Sequence, residues 1–194
     1  MSKPDENLVS CLDRGLITPG RALGLQCGPG RNALYPTARI RGGRGRSLPH
    51  GDRRGRRARP RGGAEVRFRR GDAFATGAPA GPYDLVYDPG CFHHLPPHRR
   101  ISCLALPKRV PAPDGHFALT CFAAGRMGSG LPDAAFHHEP GLHGGLACTP
   151  ESLRRAFSDL EESGLRAVRR QSADSVLFGE DFLWTGVFRR AART

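Results

Sequence analysis

Cys27-Gly28-Pro29-Gly30 follows the short apolar run Arg21-Ala-Leu-Gly-Leu-Gln26 and precedes a helix start at residues 31–35. A strand that ends in such a turn and opens a helix is a place to hold a nucleotide-like ligand. Glycine lets the backbone approach closely, and the first helical turn carries free N–H groups. A tight turn without a ligand accounts for these four residues nearly as well. Gly71-Asp72-Ala73-Phe74 follows the alternating run Glu65-Val-Arg-Phe-Arg69, and Tyr83-Asp-Leu-Val-Tyr-Asp88 ends an apolar run on a carboxylate. Asp72 and Asp88 are acceptors for amino groups or cations, or else plain turn residues. Cys91-Phe92-His93-His94-Leu95 offers imidazoles for proton transfer, or a packed loop, and no catalytic residue is assigned. Neither Cys91, His93, His94 and His98 nor His137, His138, His143 and Cys148 has the ligand spacing of known zinc sites, so no metal is expected.

The elements that must position these residues alternate between strand and helix, the pattern of an α/β domain. Residues 6–14 read as a helix with Leu8, Val9 and Leu12 on one face, and residues 21–26 as a buried strand. Residues 65–69 and 83–87 read as strands, residues 97–110 as a helix, and residues 116–122 as a strong central strand. Thr149 is placed to cap a further helix with Pro150 in its first position, Leu153, Phe157 and Leu160 on one face, and Gly164 as its stop. Residues 165–169 and 182–188 are expected as two closing strands. The whole chain, 1–194, reads as one domain with a doubly wound, mostly parallel sheet in three layers.

Net charge is +12, but ten arginines and one acid between residues 39 and 61 supply +9 of it. One segment therefore makes the protein basic, which argues against nucleic acid as its general partner. That segment, within residues 36–63, has almost no apolar side chain to bury and reads alone as a disordered basic linker. It is also the one feature that favours an alternative reading, a nucleic-acid-binding arm, although no aromatic residue is interleaved for base stacking. No apolar run approaches the ~20 residues that span a bilayer, and the first residues lack the order of a signal peptide. A soluble, cytoplasmic protein is expected, with its six scattered cysteines buried and reduced.

Taken together, the run from Leu16 through Cys27-Gly-Pro-Gly30 to Ala33, Gly71-Asp72-Ala73-Phe74, Tyr83 to Asp88, and Arg109-Val-Pro-Ala-Pro-Asp-Gly-His-Phe-Ala-Leu-Thr120 resemble four ordered motifs of class I S-adenosylmethionine-dependent methyltransferases. Cys91 to Leu95 is similar to a bacterial branch that includes thiopurine and tellurite methyltransferase-like proteins. The resemblance covers about residues 5–35 and 64–190 and implies a Rossmann-like fold, S-adenosylmethionine as cofactor and a small-molecule acceptor. It also implies an inactive scaffold with the same fold as a third reading. By resemblance Cys27, Gly28 and Gly30 admit the amino-acid tail and ribose against backbone. Asp72 and the Ala73 amide meet the adenine, and Asp88 lies where a carboxylate favours the sulfonium or tail ammonium.

Two departures from that pattern matter. Gln26 stands where the family has a glycine, and the second strand, which ends in the acid that pairs with the ribose hydroxyls, is missing from residues 40–60. Arg44-Gly-Arg-Ser-Leu-Pro-His-Gly-Asp52 is encodable by DNA whose next frame reads Gly-Val-Asp-Leu-Ser-Pro-Thr-Ala-Ile, a suitable strand, acid and helix start. The expectation is a pair of compensating frameshifts bounding residues 36–63, with impaired activity as the consequence. Pro107 inside a helix and Asp114 in a turn that favours glycine point the same way.

Overall fold

The computed structural model describes residues 3–18, 20–25, 32, 74, 81–132 and 145–192. In chain order these form α1 (Glu6–Asp13), β1 (Ala22–Gly24), β2 (Tyr83–Asp88), a 3-10 turn (Phe92–His94), α2 (Pro97–Arg109), β3 (Pro111–Ala123), β4 (Ala147–Cys148), α3 (Pro150–Ala156), β5 (Glu161–Ala167) and β6 (Leu183–Arg189). The sheet runs β1-β2-β3-β6-β5, with β4 on the far end of β3. β1, β2, β3 and β4 run parallel to one another, whereas β6 is antiparallel to both β3 and β5. Among the described strands only β6 is reversed, so the sheet is mostly parallel and Rossmann-like, as expected.

Alternation along the central strands decides which face each helix covers. Phe117, Leu119 and Cys121 of β3 and Val86 of β2 meet Cys103 and Leu106 of α2 and Leu153 of α3 in one core. Leu85 and Tyr87 of β2 and Ala118 of β3 face the other way, onto Leu8, Cys11 and Leu12 of α1. The described elements thus form three layers. Cys11, Cys91, Cys103, Cys121 and Cys148 are buried thiols, as read from the sequence, and Cys27 lies outside the described residues. None of the described helices is long and apolar enough to cross a membrane.

α3 starts as its residues predict. Thr149 Oγ1 accepts from the Ser152 amide at 3.1 Å while Ser152 Oγ accepts from the Thr149 amide at 2.9 Å. Its end is a correction. The helix stops at Ala156, and Gly164 lies inside β5, at a register shift between Glu162 and Gly164. Phe157 leaves helical geometry because its ring is drawn between Phe117 and Phe188, with centroids 5.3 and 4.9 Å away. Tertiary packing overrides the helical spacing of Leu153, Phe157 and Leu160.

Pro107 does lie within α2, where its missing N–H removes one helical bond. Asp114 sits at the start of β3 with φ 61°, in the left-handed region that favours glycine. Replacing Asp114 with glycine is expected to stabilise the protein by about 0.5–1 kcal/mol, because relief of the left-handed strain outweighs an exposed ion pair with Arg189. Urea unfolding measures this; a lower midpoint in the variant would mean that the ion pair outweighs the strain.

Candidate functional site

The three parallel strands β1, β2 and β3 end at Gly24, Asp88 and Ala123, so their carboxyl ends share one edge of the sheet. In open α/β sheets that edge is where ligands bind. β1 pairs with β2 from Ala22 opposite Leu85 to Gly24 opposite Tyr87, and the Leu25 amide donates to the Tyr87 carbonyl at 2.8 Å. Cys27, Gly28 and Gly30 follow directly in sequence but lie outside the described residues, as do Asp72, Ala73 and residues 36–63. Phe74, next to Ala73, is described: it packs against the core, with the Arg99 guanidinium 5.6 Å from its ring centroid.

Asp88 is the one sequence-predicted contact that the structure describes. It is fully buried, and its carboxylate folds back onto the loop that follows. Oδ1 accepts from the amides of Gly90, at 2.9 Å, and Cys91, while Oδ2 accepts from Phe92 at 3.0 Å. In this geometry the carboxylate organises the 90–94 loop. Burial pushes the Asp88 carboxyl up to about 6, and the three amides pull it back only in part.

The loop held by Asp88 carries His93, which is buried against the Phe122 ring, centroids 3.9 Å apart, and the His94 ring, 4.1 Å apart. Gly90 makes this approach possible. It has φ 140°, and a Cβ there would stand 3.1 Å from His93 Cε1. Burial lowers the His93 pKa to about 4, with the His94 charge acting in the same direction. At neutral pH His93 is therefore a neutral, packed imidazole, and its Nδ1 has no hydrogen-bond partner among the described residues.

Asp88 and His93 titrate with opposite signs. The folded pKa of Asp88 lies above its unfolded value of 3.8, so its contribution is complete below pH 3.8 and lost as pH rises through about 6. That of His93 lies below 6.5, so its contribution is complete above pH 6.5 and lost as pH falls through about 4. Each shift of two units or more is worth about 3 kcal/mol, and the two nearly cancel between pH 4 and 6. His93→Gln is expected to expose the Asp88 arm. Between pH 6.5 and 4 the wild type should lose about 3 kcal/mol relative to the variant in urea unfolding. A difference independent of pH would mean that His93 titrates alike in the folded and unfolded protein.

Beside this loop lies a buried polar network that sequence reading did not find. Tyr87 Oη donates to Asp5 Oδ2 at 2.7 Å, and Asn32 Nδ2 donates to the same oxygen at 2.7 Å. The Asp5 amide returns a bond to Asn32 Oδ1 at 2.9 Å. Asn7 Nδ2 donates to Thr185 Oγ1 at 3.0 Å and to Tyr87 Oη at 3.3 Å. Asn32 stands two residues beyond Gly30 in sequence, so the network ties the start of α1 to the described residue nearest the glycine run. The only sequence signal was two polar residues, Asp5 and Asn7, at the start of an otherwise apolar helix face.

No family model and no curated protein matches the chain. Solved structures do. A SAM-dependent methyltransferase from Methanosarcina mazei superposes with a TM-score of 0.68 at 13% identity, covering 94% of this chain and 98% of that one. The 1,6-didemethyltoxoflavin-N1-methyltransferase of Burkholderia thailandensis, solved with 1,6-didemethyltoxoflavin and S-adenosylhomocysteine, gives 0.66 at 17% identity over 96% of this chain and 78% of that one. The N-methyltransferase NodS of Bradyrhizobium japonicum, solved with S-adenosylhomocysteine, gives 0.60 at 14% identity over 96% and 85%. With three parallel strands ending at one edge and a single reversed strand, β6, inserted beside β3, the chain has the Rossmann-like α/β fold of these methyltransferases.

Proposed function

We propose that residues 1–194 form one S-adenosylmethionine-dependent methyltransferase domain acting on a small molecule, with impaired cofactor binding in the chain as it stands. The observation that carries this reading is the strand order around β1, which brings the carboxyl ends of β1 and β2 together where Cys27, Gly28 and Gly30 follow in sequence. The described polar groups at this edge fit a cationic ligand: Asp5, Asn7, Tyr87 and Thr120 are carboxylate, amide or hydroxyl groups, each with acceptor oxygens. Bound S-adenosylmethionine supplies an electrophilic methyl group on a sulfonium. Cys27, Gly28 and Gly30 would admit its tail and ribose, and Asp72 with the Ala73 amide its adenine. Asp88 acts as a positioning residue that holds the 90–94 loop at the transfer edge, and direct attraction of the sulfonium is the lesser part of its role. The run Cys91 to Leu95 supports the thiopurine and tellurite methyltransferase-like branch within this proposal.

The test is calorimetry with S-adenosylhomocysteine, on the chain as it stands and on one with residues 36–63 repaired. Asp72→Ala is expected to weaken binding about ten- to hundredfold, the worth of one hydrogen bond to a charged acceptor. Equal affinity with and without the Asp72 carboxylate would remove it from the site, and absence of binding in both parent chains would defeat the methyltransferase reading.

A further inference from the structure

On the α2 and α3 side of the sheet lies a cavity of about 630 Å³ that none of the motifs above predicts. Phe92, Leu104, Leu146 and Leu153 give it apolar walls. Ile101 lies on its rim and is 72% exposed, an apolar side chain left to water beside an open cavity. Its volume is within the range of small-molecule pockets, about 300–1,000 Å³.

The charge of the cavity selects among occupants. Arg100 and Arg155 both line it, and none of the described residues lining it is acidic. Arg100 is buried on the first turns of α2, where its Nε donates to the Leu95 carbonyl at 3.2 Å, which fixes the plane of the guanidinium. A guanidinium held in an apolar wall attracts an anion more strongly than one in water. Arg155 is exposed on α3, at the opposite side.

We propose that this cavity is a binding site for a flat, apolar organic anion, an aromatic carboxylate whose rings lie against the leucine and phenylalanine walls and whose carboxylate meets Arg100. The proposal does not depend on the methyltransferase reading.

The probe is 1-naphthoate, with neutral 1-naphthamide as its isostere, each titrated into the full chain by calorimetry. Saturable binding of the acid, with the amide at least tenfold weaker, is the expected result. Arg100→Gln should weaken the acid about tenfold and leave the amide unchanged, and Arg155→Gln should give a smaller loss. Ala156→Trp, which puts a ring into the cavity from α3, should abolish binding of both while far-ultraviolet circular dichroism and the urea midpoint stay near the wild-type values. Equal affinity for acid and amide overturns the anion site, and undiminished binding in Ala156→Trp places the ligand elsewhere. The acid–amide comparison needs no variant, so it decides the matter even where Arg100→Gln fails to fold. S-adenosylhomocysteine binding, measured in parallel, tests the methyltransferase reading separately.

Discussion

Replacing Asp88 with leucine is expected to cost about 3–5 kcal/mol, a large part of the ~5–15 kcal/mol that holds a domain of this size together. The side chain is fully buried and accepts from three successive loop amides, of Gly90, Cys91 and Phe92. Leucine relieves the desolvation of a carboxylate but strands three buried donors, each worth about 1–3 kcal/mol when left unpaired. Unpaired donors win. Asp88→Asn separates the two terms, because its carbonyl oxygen can keep the Gly90 and Cys91 bonds while its amide group meets the Phe92 N–H donor to donor. An intermediate loss of about 1–2 kcal/mol follows for asparagine. Urea unfolding at pH 7 measures both, and heteronuclear spectra locate the change at residues 90–94. A loss below about 1 kcal/mol for leucine would show that the loop finds other acceptors, in which case Asp88 does not position it.

What could be read in the sequence divides along physical lines. Tyr83 to Asp88 and His116 to Phe122 were legible as strands because central strands of a parallel sheet are buried on both faces and read as near-continuous apolar runs. The start of α3 was legible because a cap is local: Thr149, Pro150 and Ser152 settle it within four residues. Its end was not, since the pull on Phe157 comes from Phe117 and Phe188, which lie 40 and 31 residues away along the chain. Gly164 follows from the same cause: a glycine near a helical pattern reads as a stop, and only the pairing of β5 with β6 shows it at a bulge.

The site repeats this division. That Asp88 ends a strand at the carboxyl edge of the sheet could be read from its place in the run. That its carboxylate turns back onto its own loop could not, because the direction of three backbone amides is set by a turn without a distinctive sequence. The network of Asp5, Asn7, Asn32, Tyr87 and Thr185 joins partners separated by 27 to 178 residues, and no local pattern announces such a set. Cys27, Gly28, Gly30, Asp72 and Ala73 lie outside the described residues, so their place rests on the resemblance.

Repair of residues 36–63 should raise affinity for S-adenosylhomocysteine by at least tenfold. The sequence there carries ten arginines and one acid over residues 39–61, where the methyltransferase pattern has a strand, an acid for the ribose hydroxyls and a helix. The acid's two hydrogen bonds contribute on the order of 1.5–3 kcal/mol each before the entropy of ordering is subtracted, so tenfold is the lower end. β1 is a strand of only three residues, Ala22–Gly24, and β2 is its one neighbour among the described residues. A restored strand on its other side would hold the end of β1, and with it the Cys27–Gly30 turn, in place before the ligand arrives. On the proposed reading charge acts in the same direction, since fewer arginines in the segment that follows the glycine run in sequence would mean less repulsion of a cationic cofactor. This last contribution is separable. S-adenosylmethionine bears a sulfonium charge that S-adenosylhomocysteine lacks, so repair should improve S-adenosylmethionine binding more, and the excess should shrink as salt is raised. Both chains are expressed, the repaired one carrying Gly-Val-Asp-Leu-Ser-Pro-Thr-Ala-Ile in place of residues 44–52 and the matching frame to either side, and affinities are compared by calorimetry at two salt concentrations. Tight and equal binding by the unrepaired chain would establish residues 36–63 as a working wall of the cofactor site and end the frameshift explanation.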